Sequence, residues 1–182
     1  MKTTTYTHYL VVDLEATCGE GVPASEIEII EFAAILVPID NLHEMQVFHS
    51  YVRPELHPIL TDFCTRLTNI TQDDVDAAPT LTDMIRAFMQ WLKVPVLFCC
   101  WSDFDWKHLH KECQRHHISL PFQHGYWDLQ RKFKQVQCES NFRSVTTALE
   151  KMALTFEGQL HSAKDDALNT ARLLPFCIPK IE

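Results

Sequence analysis

The sequence predicts an α/β fold in which helices flank a mixed central β-sheet. Three segments rich in β-branched and aromatic residues follow one another near the start of the chain, separated by short connections. Further along, the apolar run VPVLFCCW alternates with segments of helical periodicity. Short connections favour antiparallel pairing, and helical crossovers favour parallel pairing. We therefore expect an antiparallel meander followed by parallel strands.

The first part of the chain supplies the meander and three helical segments. The predicted strands, bounded by Gly, Pro, Asn or Asp, span residues 9–16, 26–39 and 45–54. Helical patterns then cover residues 59–68, 71–78 as a short turn, and 80–93. In the last of these, apolar residues recur at intervals of three and four, which predicts one face packed against the sheet.

The second part of the chain alternates a strand with helices. The predicted strand spans residues 94–101, and a loop is expected around Pro121 and Gly125. The predicted helices span residues 102–117, 127–136, 144–154 and 162–176. The chain has no linker or low-complexity tract, and 182 residues suffice for one hydrophobic core, so residues 1–182 are predicted to form a single domain.

Composition limits the compartment and the partners. The formal net charge of -8 argues against a broad electrostatic grip on nucleic acid, although it does not exclude nucleic acid as a substrate. Seven cysteines without a regular framework predict reduced thiols in the cytoplasm, and the polar residues 1–9 do not resemble a signal peptide. No apolar run is long enough to span a membrane, so no membrane association is expected.

Two carboxylates stand at the end of the first predicted strand, in VVDLEATC. Because alternate side chains share a face of a strand, Asp13 and Glu15 are expected to lie side by side. Such a pair repels itself and resists burial unless a positive group neutralises it. A divalent cation does this well, so the pair predicts a metal site.

The last predicted helix carries another acid on its buried face. Ser162 and Asp165 have the spacing of an N-terminal cap, which explains Asp165, and Asn169 is expected on the polar surface. Asp166 instead shares the apolar stripe, where a carboxylate needs a metal or a salt-bridge partner. His161 precedes the helix, where the positive helix end favours a neutral imidazole; an ordinary surface histidine is the alternative.

Three further acidic residues are ambiguous from pattern alone. Asp103 and Asp105 both follow the buried strand 94–101, and either could serve a site or merely favour the helix start. Glu31 alternates with apolar residues in the second strand, which predicts either a buried, hydrogen-bonded acid or a strand with one wet face.

The ordered set of these motifs resembles the DEDDh 3′-5′ exonucleases, which have an RNase H-like fold. The Eri-like exoribonuclease branch is the most similar, through VVDLEATC, EIIEFAAIL, LTDFCTRLTNITQDDVD and HSAKDDALNTARL. The resemblance extends from about residue 8 to residue 175. Asn69 stands where that branch usually has glycine, and Asn also accepts a positive φ.

The resemblance implies a function and assigns roles to residues. It implies two-metal hydrolysis of single-stranded RNA, or also DNA, from the 3′ end to 5′-mononucleotides, without an obligatory protein partner. The implied ligands of two Mg²⁺ or Mn²⁺ ions are Asp13, Glu15, Asp105 and Asp166, and His161 is the implied general base. The aromatic residue before Asp105 selects it over Asp103. Substrate contacts are expected from Ala16, Thr17, Phe104 and Trp101. The alternative function is a nucleic-acid-binding module that has lost catalysis.

Overall fold

Five strands form one mixed sheet. The computed structural model describes residues 6–122, 125–138 and 143–178. The strands are β1 (His8–Ala16), β2 (Ile29–Pro38), β3 (Gln46–Tyr51), β4 (Val96–Cys100) and β5 (Tyr126–Asp128). They are arranged in the order β3-β2-β1-β4-β5. The first three strands pair antiparallel, whereas β4 pairs parallel with both β1 and β5. The predicted antiparallel meander with added parallel strands is confirmed.

Helices pack on both sides of this sheet. They are α1 (Asp62–Thr68), α2 (Gln72–Asp76), α3 (Leu81–Trp91), α4 (Asp103–Arg115), α5 (Leu129–Gln137), α6 (Val145–Lys151), α7 (Ala163–Arg172) and α8 (Leu174–Cys177). A threonine hydroxyl accepts a backbone N–H at the start of each of the first three helices, from Thr61, Thr71 and Thr80. These caps satisfy amides that have no partner within the helix.

The hydrophobic core is divided by the sheet into two layers. On one face, Val11 of β1 packs with residues of α5 to α8, such as Phe133 and Ala167. On the other face, Leu10 and Val12 pack with residues of α3 and α4, such as Phe88. Strand β1 is thus buried on both sides, which explains its continuous apolar run. Asp13 and Glu15 lie where this buried strand ends.

The structure departs from the predicted elements in several details, of which the following concern β5, α5, the last predicted helix and β2. Trp127 and Asp128 belong to the short strand β5, and α5 begins only after Asp128, whose carboxylate accepts the amide of Arg131. The last predicted helix is divided at Leu173, because Pro175 cannot continue the hydrogen-bond pattern of α7. Strand β2 begins three residues later than predicted.

Other predictions concern single positions or the ends of the chain. Asn69 has a φ of 59° and ends α1 in the left-handed conformation, as expected for a position that favours glycine. Every cysteine of the chain is a free thiol. Within the described ranges, no helix is long and apolar enough to cross a membrane. Residues 1–5 of the polar start, and residues 123 and 124 of the predicted loop, lie outside the described residues.

Candidate active site

The paired acids of β1 project from one face of the sheet. In the antiparallel pairing with β2, Asp13 lies opposite Ala33 and Glu15 opposite Glu31. The pairing shifts register between Glu15 and Ala16. A bulge of this kind ends regular pairing and re-aims side chains. The strand therefore presents both carboxylates at its carboxyl end, where open α/β sheets bind ligands.

Helix α7 brings a third carboxylate to this pair. Asp13, Glu15 and Asp166 each offer a carboxylate oxygen, and these three oxygens lie within 4.8 Å of one another. Among the described residues they form the one group of three or more His, Cys, Asp or Glu side chains with spacing suited to a metal ion. Oxygen donors at this spacing suit a hard divalent cation such as Mg²⁺ or Mn²⁺.

The first turn of α4 places Asp105 beside this cluster and turns Asp103 away. Asp105 is buried and accepts a hydrogen bond from the backbone amide of Leu14, between the two acids of β1. Asp103 is half exposed and pairs with Lys107 at 2.5 Å. The Ser102 hydroxyl accepts the amide of Phe104, so Asp105 is not required for the predicted cap. The structure thus brings Asp105 to the cluster and leaves Asp103 on the surface.

The four carboxylates and His161 line one cavity of about 520 Å³. This cavity opens at the end of the sheet where β1 and β4 terminate, between the starts of α4, α6 and α7. Asp103 lines a separate cavity with residues of β5 and α5. The predicted acids and histidine, which are distant in sequence, are therefore neighbours around one space large enough for a nucleotide-sized ligand.

Mutual repulsion and burial dominate the electrostatics of the cluster. Burial, followed by the charges of the neighbouring carboxylates, raises the pKa of Asp13 well above its usual range. The same two causes raise the pKa of Glu15 to about 8. Burial also raises the pKa of Asp105 to about 7 and that of Asp166 to about 6, although backbone N–H donors partly offset both shifts. Among the described residues that line the cavity there is no lysine or arginine, and a divalent cation would supply the compensating charge.

A strained turn before α7 carries His161. Its φ of 61° is a left-handed conformation that β-carbon-bearing residues seldom adopt. The backbone amide of His161 donates to the Asp166 carboxylate at 2.9 Å, and that of Gln159 donates to Asp165 at 2.8 Å. The imidazole is exposed at the cavity. Strain of this kind persists only when surrounding contacts enforce it, and it concentrates at functional sites.

Two predictions about α7 are wrong in detail. The Ser162 side chain makes no cap hydrogen bond; the amides of Ala163 and Lys164 donate instead to the carboxylate of Glu31 on β2. Of the two alternatives for Glu31, a buried, hydrogen-bonded acid or a residue on a wet strand face, the structure shows the first. Asn169 is buried rather than exposed, because its amide group bonds the backbone of Glu157.

Comparison with known proteins agrees with this geometry. Residues 10–174 match the family model RNase_T, which is described as Exonuclease. The chain belongs to this exonuclease family. The 3′-5′ exoribonuclease 1 of Rattus norvegicus is 34% identical over 182 residues, which cover 92% of this chain and 52% of the rat protein. The 3′-5′ exonuclease Snipper of Drosophila melanogaster is 33% identical, with 93% of this chain and 68% of that protein covered.

A solved exonuclease structure shares the fold of this chain. The nuclease domain of 3′hExo, a DEDDh family member determined with bound rAMP, superimposes with a TM-score of 0.83 and 32% identity. The match covers 93% of this chain and 90% of that domain. The predicted DEDDh resemblance and RNase H-like fold are confirmed. The chain spans about half the length of the exoribonuclease 1 relatives.

The residues expected to contact substrate differ in accessibility. Phe104 lines the exonuclease cavity with 47% of its surface exposed. Its ring stacks on that of His108, with the centroids 5.4 Å apart, and the exposed part of the ring stays accessible to a base. Trp101 is 7% exposed and packs on Phe133, so it forms a wall of the cavity rather than a stacking platform. Thr17 is 2% exposed, and both its amide and its hydroxyl bond the backbone of Glu28. Ala16 and Thr17 border the cluster without lining the cavity.

Two parts of the cavity wall were not predicted from the sequence. Residues 144–146 at the start of α6 line it opposite the acids, and Leu160 lines it next to His161. The signal for Leu160 was present, since a large apolar residue in a polar loop is an anomaly, and the side chain is half exposed. Residues 144–146 carry no such signal, because their serine, valine and threonine are ordinary for a helix start.

Proposed function

We propose that this protein is a metal-dependent 3′-5′ exonuclease that hydrolyses single-stranded RNA, and DNA less well, to 5′-mononucleotides. The observation that carries the proposal is the convergence of three carboxylate oxygens within 4.8 Å, beside buried Asp105 and His161 in one cavity. The names of the most similar relatives, which are exoribonucleases, support RNA as the substrate class. The cytoplasmic setting and the single domain stay predictions.

The carboxylates would hold two Mg²⁺ or Mn²⁺ ions. Asp13, Glu15 and Asp166 supply oxygen ligands at a suitable spacing, and Asp105 completes the acidic wall. Burial and the neighbouring carboxylates raise the pKa values of Asp13 and Glu15, and bound cations would offset this repulsion. When bound, the cations supply Lewis acidity and charge compensation for the phosphodiester.

The chain's own residues orient the substrate and move one proton. Water attacks the terminal phosphorus, the bond from phosphorus to the 3′ oxygen of the preceding nucleotide breaks, and a nucleoside 5′-monophosphate leaves. His161, exposed at the cavity and preceding α7, accepts the proton of the attacking water at a ring nitrogen. Solvent returns a proton to the departing 3′ oxygen.

The terminal nucleotide is bound mainly by shape and stacking. Phe104 presents its ring at the cavity and would stack on the terminal base, a contact worth about 1 to 3 kcal/mol. Contact of Ala16 and Thr17 with the terminal sugar stays a prediction, because the amide and hydroxyl of Thr17 are engaged with Glu28 and neither residue lines the cavity. A net charge of -8 fits recognition of a chain end better than recognition of a long backbone.

The test is cleavage of a single-stranded RNA labelled at its 3′ end, compared with DNA of the same sequence. With Mg²⁺ or Mn²⁺, the wild type should release labelled mononucleotide from the first turnover, and Asp13→Ala and His161→Ala should lose at least 100-fold in rate. Asp105→Ala and Asp103→Ala form a matched pair: the first should abolish cleavage, and the second should retain it.

Other outcomes would contradict the proposal. Release of oligonucleotides before mononucleotides would indicate an endonuclease. RNA binding by a folded wild type that cleaves nothing with either metal would support the alternative of a binding module without catalysis. Equal rates on RNA and DNA would remove the preference for RNA while leaving the exonuclease chemistry intact.

A further inference from the structure

A carboxylate outside the acidic cluster anchors the start of α7. Glu31 of β2 is 2% exposed. One of its oxygens accepts the amide of Ala163 at 2.9 Å, and the other accepts the amide of Lys164 and the hydroxyl of Ser162, both at 3.4 Å. The donors lie more than 130 positions along the chain from Glu31. The N-terminal cap of α7 is therefore supplied by a different element of the fold.

The Glu31 carboxylate also accepts a hydrogen bond from a side chain of the neighbouring strand. The Nε2 atom of His49, on the neighbouring strand β3, donates to the Glu31 carboxylate at 2.8 Å. The ring of His49 packs edge-on against Tyr51. With donors on both oxygens, and with the positive end of α7 in front of it, the buried charge is well satisfied. The side chain has few alternative orientations.

The position of this cap relates it to the chemistry of the site. On one side, Glu31 lies directly opposite Glu15 in the pairing of β1 with β2. On the other side, the amides that it receives stand between His161 and Asp166 in the chain. His161 sits in a left-handed conformation that its own sequence does not favour. A fixed point next to it is needed to keep that turn in place.

We propose that Glu31 is a positioning residue that sets His161 and Asp166 against the paired acids of β1, with His49 orienting its carboxylate. The inference rests on the proposed exonuclease function and adds to it a residue that touches neither substrate nor the three clustered ligand oxygens. Loss of the cap lets the first turn of α7 and the strained turn before it relax away from β1. Catalysis then suffers more than substrate binding, because Phe104 is carried by α4.

Glu28 provides a matched control. It is also 2% exposed, and its carboxylate also accepts three backbone amides, those of Glu55, Leu56 and His57. Arg115 donates to it at 3.1 Å, much as His49 donates to Glu31. Its side chain faces the segment after β3 and does not line the cavity. Glu28→Gln therefore matches Glu31→Gln in burial and lost charge, without acting on α7.

The experiment compares steady-state kinetics and amide hydrogen exchange of Glu31→Gln, Glu28→Gln and His49→Ala in the full chain. For Glu31→Gln we expect kcat to fall 10- to 100-fold with KM within threefold, and faster exchange in peptides covering residues 161–166. Glu28→Gln should keep kcat within twofold and show faster exchange around residues 55–57 instead. His49→Ala removes one donor from a partly exposed position and should lower kcat about threefold.

The proposal is overturned if Glu31→Gln keeps wild-type kcat, or if it and Glu28→Gln lose kcat equally. It also fails if exchange at residues 161–166 stays unchanged in a folded Glu31→Gln protein. Should Glu31→Gln not fold, His49→Ala decides, and an unchanged kcat and exchange pattern in that variant contradicts the proposal. If the wild type releases no mononucleotide, the exonuclease function has failed, and the exchange measurements still decide whether Glu31 positions α7.

Discussion

Replacing Glu15 with glutamine should stabilise the metal-free protein at alkaline pH. Burial raises the pKa of Glu15 to about 8 from an ordinary value of 4.5, and the charges of Asp166, Glu31 and Asp105 add to the shift. The folded state therefore keeps a proton that the unfolded chain releases above pH 4.5. Because the folded state binds more protons, the stability of the metal-free protein falls as pH rises from about 4.5 to about 8.

The size of the effect follows from the shift. One pKa unit corresponds to about 1.4 kcal/mol, so Glu15 taken alone accounts for about 5 kcal/mol across this pH window. Repulsion is shared with the other carboxylates of the cluster, and glutamine must find its own hydrogen bonds in the same space. We therefore expect Glu15→Gln to gain about 2 to 4 kcal/mol at pH 8, or roughly 5 to 15 °C in Tm for a chain of this size.

Unfolding in EDTA at pH 5 and pH 8 measures this difference. The free energy of unfolding of Glu15→Gln should equal that of the wild type at pH 5 and exceed it at pH 8. Glu20→Gln, at an exposed position, should have the wild-type free energy of unfolding at both pH values. Saturating Mn²⁺ should reverse the order at pH 8, because the wild type gains more from metal binding. If the free energy of unfolding in EDTA changed equally with pH for the wild type and Glu15→Gln, the electrostatic account of the cluster would be refuted.

Three further predictions concern the walls of the site and a helix end. Gly158→Ala should cost about 1 to 3 kcal/mol of unfolding free energy, because the φ of Gly158 is +91° and an added Cβ would overlap Asp165. It should also lower kcat more than tenfold. Urea unfolding measures the first effect and RNA cleavage the second. Phe104→Ala should raise KM about 10- to 100-fold at unchanged Tm, because the ring is accessible to a base. Trp101→Ala should instead lower the free energy of unfolding in urea by about 3 to 5 kcal/mol, because Trp101 is buried. A destabilised Phe104→Ala protein would contradict an accessible stacking ring. Asn69→Ala should lose about 1 kcal/mol in urea unfolding with cleavage unaffected, because alanine tolerates a φ of 59° less well than asparagine.

Local periodicity was sufficient for much of the fold and for part of the site. Alternation along β1 predicted that Asp13 and Glu15 share a face, and the structure places both in one cavity. The helical repeat of α7 predicted that Asp166 turns inward, and its carboxylate lies with theirs. These relations hold within single elements, where the backbone geometry of a strand or helix dictates which side chains share a face.

Local sequence pattern could not decide between alternatives that depend on contacts between two secondary-structure elements. Asp103 and Asp105 occupy the same helical turn, and only the packing of α4 against β1, with the Leu14 amide facing Asp105, separates their environments. Asn169 and Trp127 were misplaced because a buried amide partner and a neighbouring strand β4 cannot be read from local pattern.

By itself, then, the sequence determined the mixed sheet, the inward acids and the family resemblance, since each depends on short-range order along the chain. The tertiary structure alone decided that Glu31, rather than Ser162, caps α7. It also supplied the physical reason for Asp105 over Asp103, a choice that local pattern left open and that the resemblance alone had made. The physical reason is that a buried carboxylate must find donors, and the available amides belonged to elements far away in sequence.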